Sequence, residues 1–194
     1  MIILTDNDII HKLCCCDLLV ELLQLLESPP NEIWVIPTMK FKVRSLLKND
    51  NASLARFNAF ITHIRDIPVA STESLDRSVG LDVGEQALFA IFVENSNNAR
   101  IVTGDKRAIS DVVKICQNDN SLEQLLAGKV DCFENIMLGL IDMFGFEAIN
   151  LKVTNNKGID KVLAVIFGNT RNEEHARDAL NSYINSLKTE ASFI

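Results

Sequence analysis

The stretch Leu81 to Arg107, LDVGEQALFAIFVENSNNARIVTGDKR, constrains the fold more than any other part of the chain. After Val83 the residues Ala87, Leu88, Ile91 and Phe92 recur at helical spacing. A polar turn follows, and Arg100 to Val102 reads as a short buried strand ending in Thr103-Gly104-Asp105. A helix that feeds a parallel strand delivers Asp105 to the carboxyl end of that strand, where open α/β sheets bind their ligands. The first residues, MIILTDNDII, repeat the device: an apolar strand ends in Asp6 and a helical pattern follows at once. Two acids distant in sequence are thereby candidates for one crevice, and Glu85 joins them if its helix starts at that edge.

The rest of the chain reads as strands alternating with helices. Ile2 to Thr5 is the first strand, and Asp8 to about Leu26 is helical with a break near Cys16-Asp17, stopped by Pro29-Pro30. Ile33 to Ile36 is a second buried strand, Met39 to Leu47 a basic helix, and Leu54, Phe57, Ile61 and Ile64 mark another helix. Ile67 to Ala70 is expected as a third strand and Ser71 to Gly80 as a polar connection. Val130 to Phe133 is expected as the last edge strand, and Ile136 to Met143 as a helix. This order predicts an α/β fold over residues 1–145, a three-layer α/β/α sandwich with a mostly parallel sheet. Residues 146–194 read as a C-terminal helical extension, packed on that domain or projecting from it. At 194 residues and 47% hydrophobic, the chain is long enough for a well-filled core.

No apolar run approaches the ~20 residues of a membrane helix, and the start has no positively charged region before its apolar residues, so it reads as a strand and no signal peptide. Five cysteines, three of them consecutive at Cys14 to Cys16, fit neither a disulfide framework nor a CxxC metal site; small buried hydrophobes are the expected role, in a reduced cytoplasmic setting. The net charge of −7 argues against a general nucleic-acid coat. Its distribution is uneven: between Thr38 and Arg65 six cations face only Asp50, a local +5 that leaves −12 elsewhere. Lys40, Lys42 and Arg44 are thus either a phosphate-facing strip, with Lys106 near the candidate crevice, or a solvated helix face.

The acids carry two readings as well. Asp82-Val-Gly-Glu85 has capping-box spacing, and Asp6 or Asp8, and Asp105, stand where helices begin, so each alone suits an N-cap. Three cap acids at one sheet edge would repel one another unless a cation sat between them.

MIILTDNDII, VIPTMKFKVRSLL, LDVGEQALFAIF and RIVTGDKRAI, in this order, resemble the motifs of PIN-domain proteins, in particular the small prokaryotic branch with an LDxGE helix; the similarity covers about residues 1–135. The resemblance implies a metal-dependent endoribonuclease that cuts single-stranded RNA, often a toxin of a toxin–antitoxin or phage-defence system, with a cognate antitoxin protein and a homodimer as partners. It implies Asp6, Glu85 and Asp105 as catalytic, metal-holding residues for Mg²⁺ or Mn²⁺, with Asp82 or Asp8 as a further carboxylate. That chemistry needs hard oxygen ligands and no nucleophilic side chain, in keeping with three histidines, His11, His63 and His175, scattered over unrelated segments. The chain departs from the family where cleaving members carry a Glu after the second strand, since Val43 stands there, and Arg107 replaces a further acid. Val43 either faces the crevice or, spaced with Leu46 and Leu47, the core.

Two other readings stand beside the nuclease. A PIN-like fold without full catalytic equipment would serve as an RNA- or protein-binding module. The DxD start and late GD turn are also similar to haloacid dehalogenase-like phosphatases, with Asp6 as nucleophile, Asp8 as general acid and Asp105 on Mg²⁺. That family's phosphate-holding lysine has no counterpart, because no lysine occurs between Lys48 and Lys106.

Overall fold

Among the described residues five short strands build one all-parallel sheet in the order β3-β2-β1-β4-β5. The structure, a computed structural model, describes residues 1–4, 7–27, 32–156 and 160–194. Thr5, Asp6 and the Pro29-Pro30 helix stop lie outside the described residues. The strands are β1 (Ile2–Leu4), β2 (Ile33–Val35), β3 (Arg65–Asp66), β4 (Arg100–Thr103) and β5 (Val130–Cys132). Ile2 pairs with Ile33 on one side and Arg100 on the other, so β1 runs through the middle of the sheet.

Because side chains alternate along a strand, each strand feeds two cores. Ile2, Ile33, Val35 and Val102 point into one, covered by α1 (Asn7–Cys15), α2 (Leu19–Leu25), α3 (Pro37–Leu47), α4 (Asn51–Ile61) and α9 (Phe133–Phe144). Ile3, Ile101, Val130 and Cys132 point into the other, under α6 (Val83–Glu94), α7 (Lys106–Cys116) and α8 (Asn120–Leu126). The chain is therefore a three-layer α/β/α sandwich. Its C-terminal part adds α10 (Phe146–Thr154), α11 (Lys161–Ile166) and α12 (Glu173–Glu190). α12 serves both cores: Ala176 and Leu180 enter the first, Ile184 and Leu187 the second. No helix among the described residues is long and apolar enough to cross a membrane.

The break between α1 and α2 is a left-handed turn at Asp17, φ 55°; its carboxylate pairs with Arg56 at 2.9 Å. All five cysteines are buried and free. Burial pushes the thiols of Cys16 and Cys132 up to about 12 and that of Cys116 to about 11, which makes them inert packing groups.

Two elements differ from the sequence pattern. The third strand is Arg65–Asp66 and ends where Ile67 N–H donates to Val35 O at 2.9 Å; the next residue, Pro68, has no N–H to continue the ladder. The connection after Ser71 contains a fifth helix, α5 (Thr72–Asp76), capped by the Ser71 hydroxyl, which accepts from Ser74 N–H. Its five residues include one large apolar side chain, too few for a periodic signal.

Candidate active site

β1 is flanked by β2 and β4, whose connections leave in opposite directions, and such a divergence opens a crevice beyond the carboxyl ends of the strands. Here the crevice encloses about 550 Å³. Asn7 at the start of α1, Thr38 and Lys42 from α3, Asp82 and Glu85 from the start of α6, and Thr103 at the end of β4 with Asp105 after it bring polar groups to it.

The α6 acids form the capping box that their spacing predicts. Asp82 Oδ1 accepts from Glu85 N–H at 2.8 Å, and Glu85 Oε2 accepts from Asp82 N–H at 3.3 Å. Glu85 also borders a small void of about 40 Å³ with Phe89, Ile101 and Ile109. Burial beside that apolar lining raises its pKa above the ordinary carboxylate value. The charges of Asp82, Asp105 and Asp111 add to the rise against the hydrogen bond from Asp82 N–H. Asp105 caps α7, its Oδ1 accepting from Arg107 N–H at 2.8 Å and Ala108 N–H at 3.4 Å. Glu85 and Asp105 are thus brought into one crevice, where the Asp105 charge reaches Glu85. Asp6 lies outside the described residues.

Asp8 points elsewhere. Its carboxylate pairs at 2.5 Å with Lys12, which also meets Asp160 at 2.8 Å, and the three line a separate cavity of about 140 Å³. Burial works against the charge of Lys12, but its bonds to Asp160 and Asp8 prevail and raise its pKa. Lys106 lines the same cavity, its ammonium 4.8 Å from the Tyr183 ring centroid. Of the basic strip, Lys40 pairs with Asp66 at 2.7 Å and Arg44 Nε donates to Asn58 Oδ1 at 3.2 Å. Lys42 is exposed, lines the crevice and has no ion pair among the described residues.

Val43 is fully buried in the first core with Met39 and Leu47, so α3 offers the crevice no carboxylate and no position for one there. Sequence reasoning missed Asn7, whose Oδ1 is buried without a hydrogen-bond partner among the described residues. Its position directly after Asp6 was the only available signal.

No three His, Cys, Asp or Glu side chains among the described residues are grouped to hold a metal ion. The donors lining the crevice are hard oxygens: the carboxylates of Asp82, Glu85 and Asp105, beside Asn7, whose buried Oδ1 has no hydrogen-bond partner among the described residues. Such a set suits Mg²⁺ or Mn²⁺ rather than a soft metal, and Mg²⁺ usually takes only one or two carboxylates beside water and substrate phosphate.

Fold and crevice together define a three-layer α/β protein with an acidic cleft at the switch point of an all-parallel sheet. Compared with family models, curated proteins and solved structures, the chain shows no match.

Proposed function

We propose that the chain is a metal-dependent endoribonuclease of PIN type that cleaves single-stranded RNA. The observation that carries the proposal is the sharing of one crevice by Glu85 and Asp105, from elements distant in sequence, with the Glu85 carboxyl held above its ordinary pKa first by burial and then by the charges of Asp82 and Asp105. A cation relieves that repulsion. Glu85 and Asp105, with Asp6 by the sequence resemblance and Asp82 as a further carboxylate, would hold Mg²⁺ or Mn²⁺, which when bound supplies activated water and charge neutralisation at a phosphodiester. The α7 amides fix Asp105 by Oδ1 alone, so its orientation does not depend on the ligand. Glu85, half-buried and raised in pKa by burial and the neighbouring carboxylates, would hold the cation where its ionised form is otherwise poorly solvated. The Lys42 ammonium meets phosphate charge at the crevice wall. A toxin or phage-defence role in the cytoplasm, a cognate antitoxin and a homodimer belong to the same proposal through the resemblance alone.

A second reading, an RNA- or protein-binding module, is favoured by one observation: Val43, where cleaving relatives carry Glu, lies in the core. The phosphatase reading loses support, since its general acid, Asp8, is engaged by Lys12 in the other cavity. Incubating the protein with a pool of single-stranded RNA in Mg²⁺, Mn²⁺ or EDTA tests the nuclease. Cleavage with either ion and none in EDTA is expected; intact RNA under all three conditions overturns cleavage, and bound but intact RNA selects the binding module.

A further inference from the structure

Polarity across the crevice follows the order of the strands. From the β1 and β4 side come Asn7, Thr103 and Asp105; from the β2 and β3 side come Ile36 and Ile67, with Val83 and Leu88 of α6. Gly84 packs against this side: a Cβ on it would stand 3.4 Å from both Ile36 Cδ1 and the capping Asp82 Oδ1, so the backbone approaches the isoleucine closely. Thr38 and Lys42 bring a hydroxyl and an ammonium from α3, and the start of α6 brings the carboxylates of Asp82 and Glu85 beside Val83. At about 550 Å³, the space lies within the range of sites that take a small organic ligand.

We infer that the apolar patch of the crevice, Ile36, Ile67 and Val83, is a nucleobase subsite that holds one unstacked base of a single-stranded RNA while Lys42 and the neighbouring acids meet its phosphate. The inference rests on the reading of the crevice as an RNA site and adds how the strand is selected. Apolar walls hold any base by its faces, whereas discrimination among bases needs hydrogen bonds to their edges. The subsite therefore accepts all four bases, favours purines for their larger faces, and rejects duplex RNA, whose bases are not available.

The test measures binding in EDTA by fluorescence anisotropy, with a labelled RNA trinucleotide and the same trinucleotide abasic at its centre. Loss of the central base is expected to weaken binding about tenfold, and exchanging it among the four bases by less than that. Ile67 is only half-buried, so Ile67→Ser should fold with a wild-type melting curve and narrow the gap between the two oligonucleotides. Lys42→Gln should weaken both alike. Equal binding of the abasic and complete forms, a strict preference for one base, or an unchanged gap in a folded Ile67→Ser variant overturns the subsite. The nuclease reading fails separately: an abasic penalty without metal-dependent cleavage keeps the subsite and sinks the nuclease, and cleavage without the penalty does the reverse. A trinucleotide that does not bind at all overturns the subsite.

Discussion

Glu85 serves two arrangements that pull against each other, since it closes the capping box of α6 and lends its carboxylate to a crevice already holding Asp82 and Asp105. Its raised pKa means that the folded state favours the protonated form relative to the unfolded chain. The associated stability is present below the ordinary carboxylate value, about pH 4, and is lost as pH rises through the raised folded value. Glu85→Gln keeps the reach back to the N-cap amide and cannot ionise. The variant should melt higher than wild type at pH 7, with the difference vanishing near pH 4, and Mn²⁺ should stabilise wild type alone; a variant that melts lower at pH 7 contradicts the assignment. At Asp105 an Asn caps almost as well, so Asp105→Asn should cost no more than about 0.5 kcal/mol of stability while abolishing cleavage. Full metal-dependent activity in that variant would remove Asp105 from the site. Both acids were legible because cap spacing and strand-end position are sequence properties. Asn7 was not, because an amide one residue past a strand-end acid looks like any other first-turn residue.

At the scale of elements, α3 decides whether the cluster can be completed. Met39, Val43 and Leu47 recur every four residues and are buried together, whereas Leu46, equally apolar, is 56% exposed. Val43→Glu therefore buries a carboxylate in an apolar core and should cost several kcal/mol, read as a lost or strongly lowered thermal transition that Mn²⁺ does not restore. A well-folded variant with metal-dependent stabilisation would instead put the side chain in the crevice. The basic strip of the same helix divides once its partners are known. Lys42→Gln should lower the slope of log affinity against log salt by about 0.7, the value for one phosphate contact on a single strand, and Lys40→Gln and Arg44→Gln by less because Asp66 and Asn58 engage them. Equal effects at the three positions would restore the whole strip as the contact surface. The +5 segment was visible in the sequence, but its division required tertiary contacts with β3 and α4. For the same reason β3 was misjudged: Arg65 and Asp66 are both exposed and carry no apolar alternation, while Ile67 to Ala70 do carry apolar residues but contain Pro68.

For the molecule as a whole, the two cores were foreseeable from alternating strands and amphipathic helices, but the part played by the last 49 residues, 146–194, was not, because a single apolar stripe does not say what it packs against. α12 and the residues after it fill both cores with Leu180, Ile184, Leu187 and Phe193. At roughly 1.5–3 kcal/mol for each large buried side chain, their removal is comparable to the whole stability of a domain, about 5–15 kcal/mol. A chain ending at Gly145 should show no cooperative melting by circular dichroism; a sharp transition near the wild-type midpoint would make residues 146–194 a dispensable appendage. The central place of β1 has a further consequence, for the birth of the protein on the ribosome. Ile2 meets Ile33 early, yet its other neighbour, Arg100, is about a hundred residues away. At translation speeds of about 5–20 residues per second, β1 waits on the order of 5–20 seconds for that neighbour, one flank of its backbone unpaired beside apolar side chains. Among the inner strands β1 thus waits longest for its second neighbour, and for that interval the nascent chain presents the middle of its future sheet to the chaperones around it.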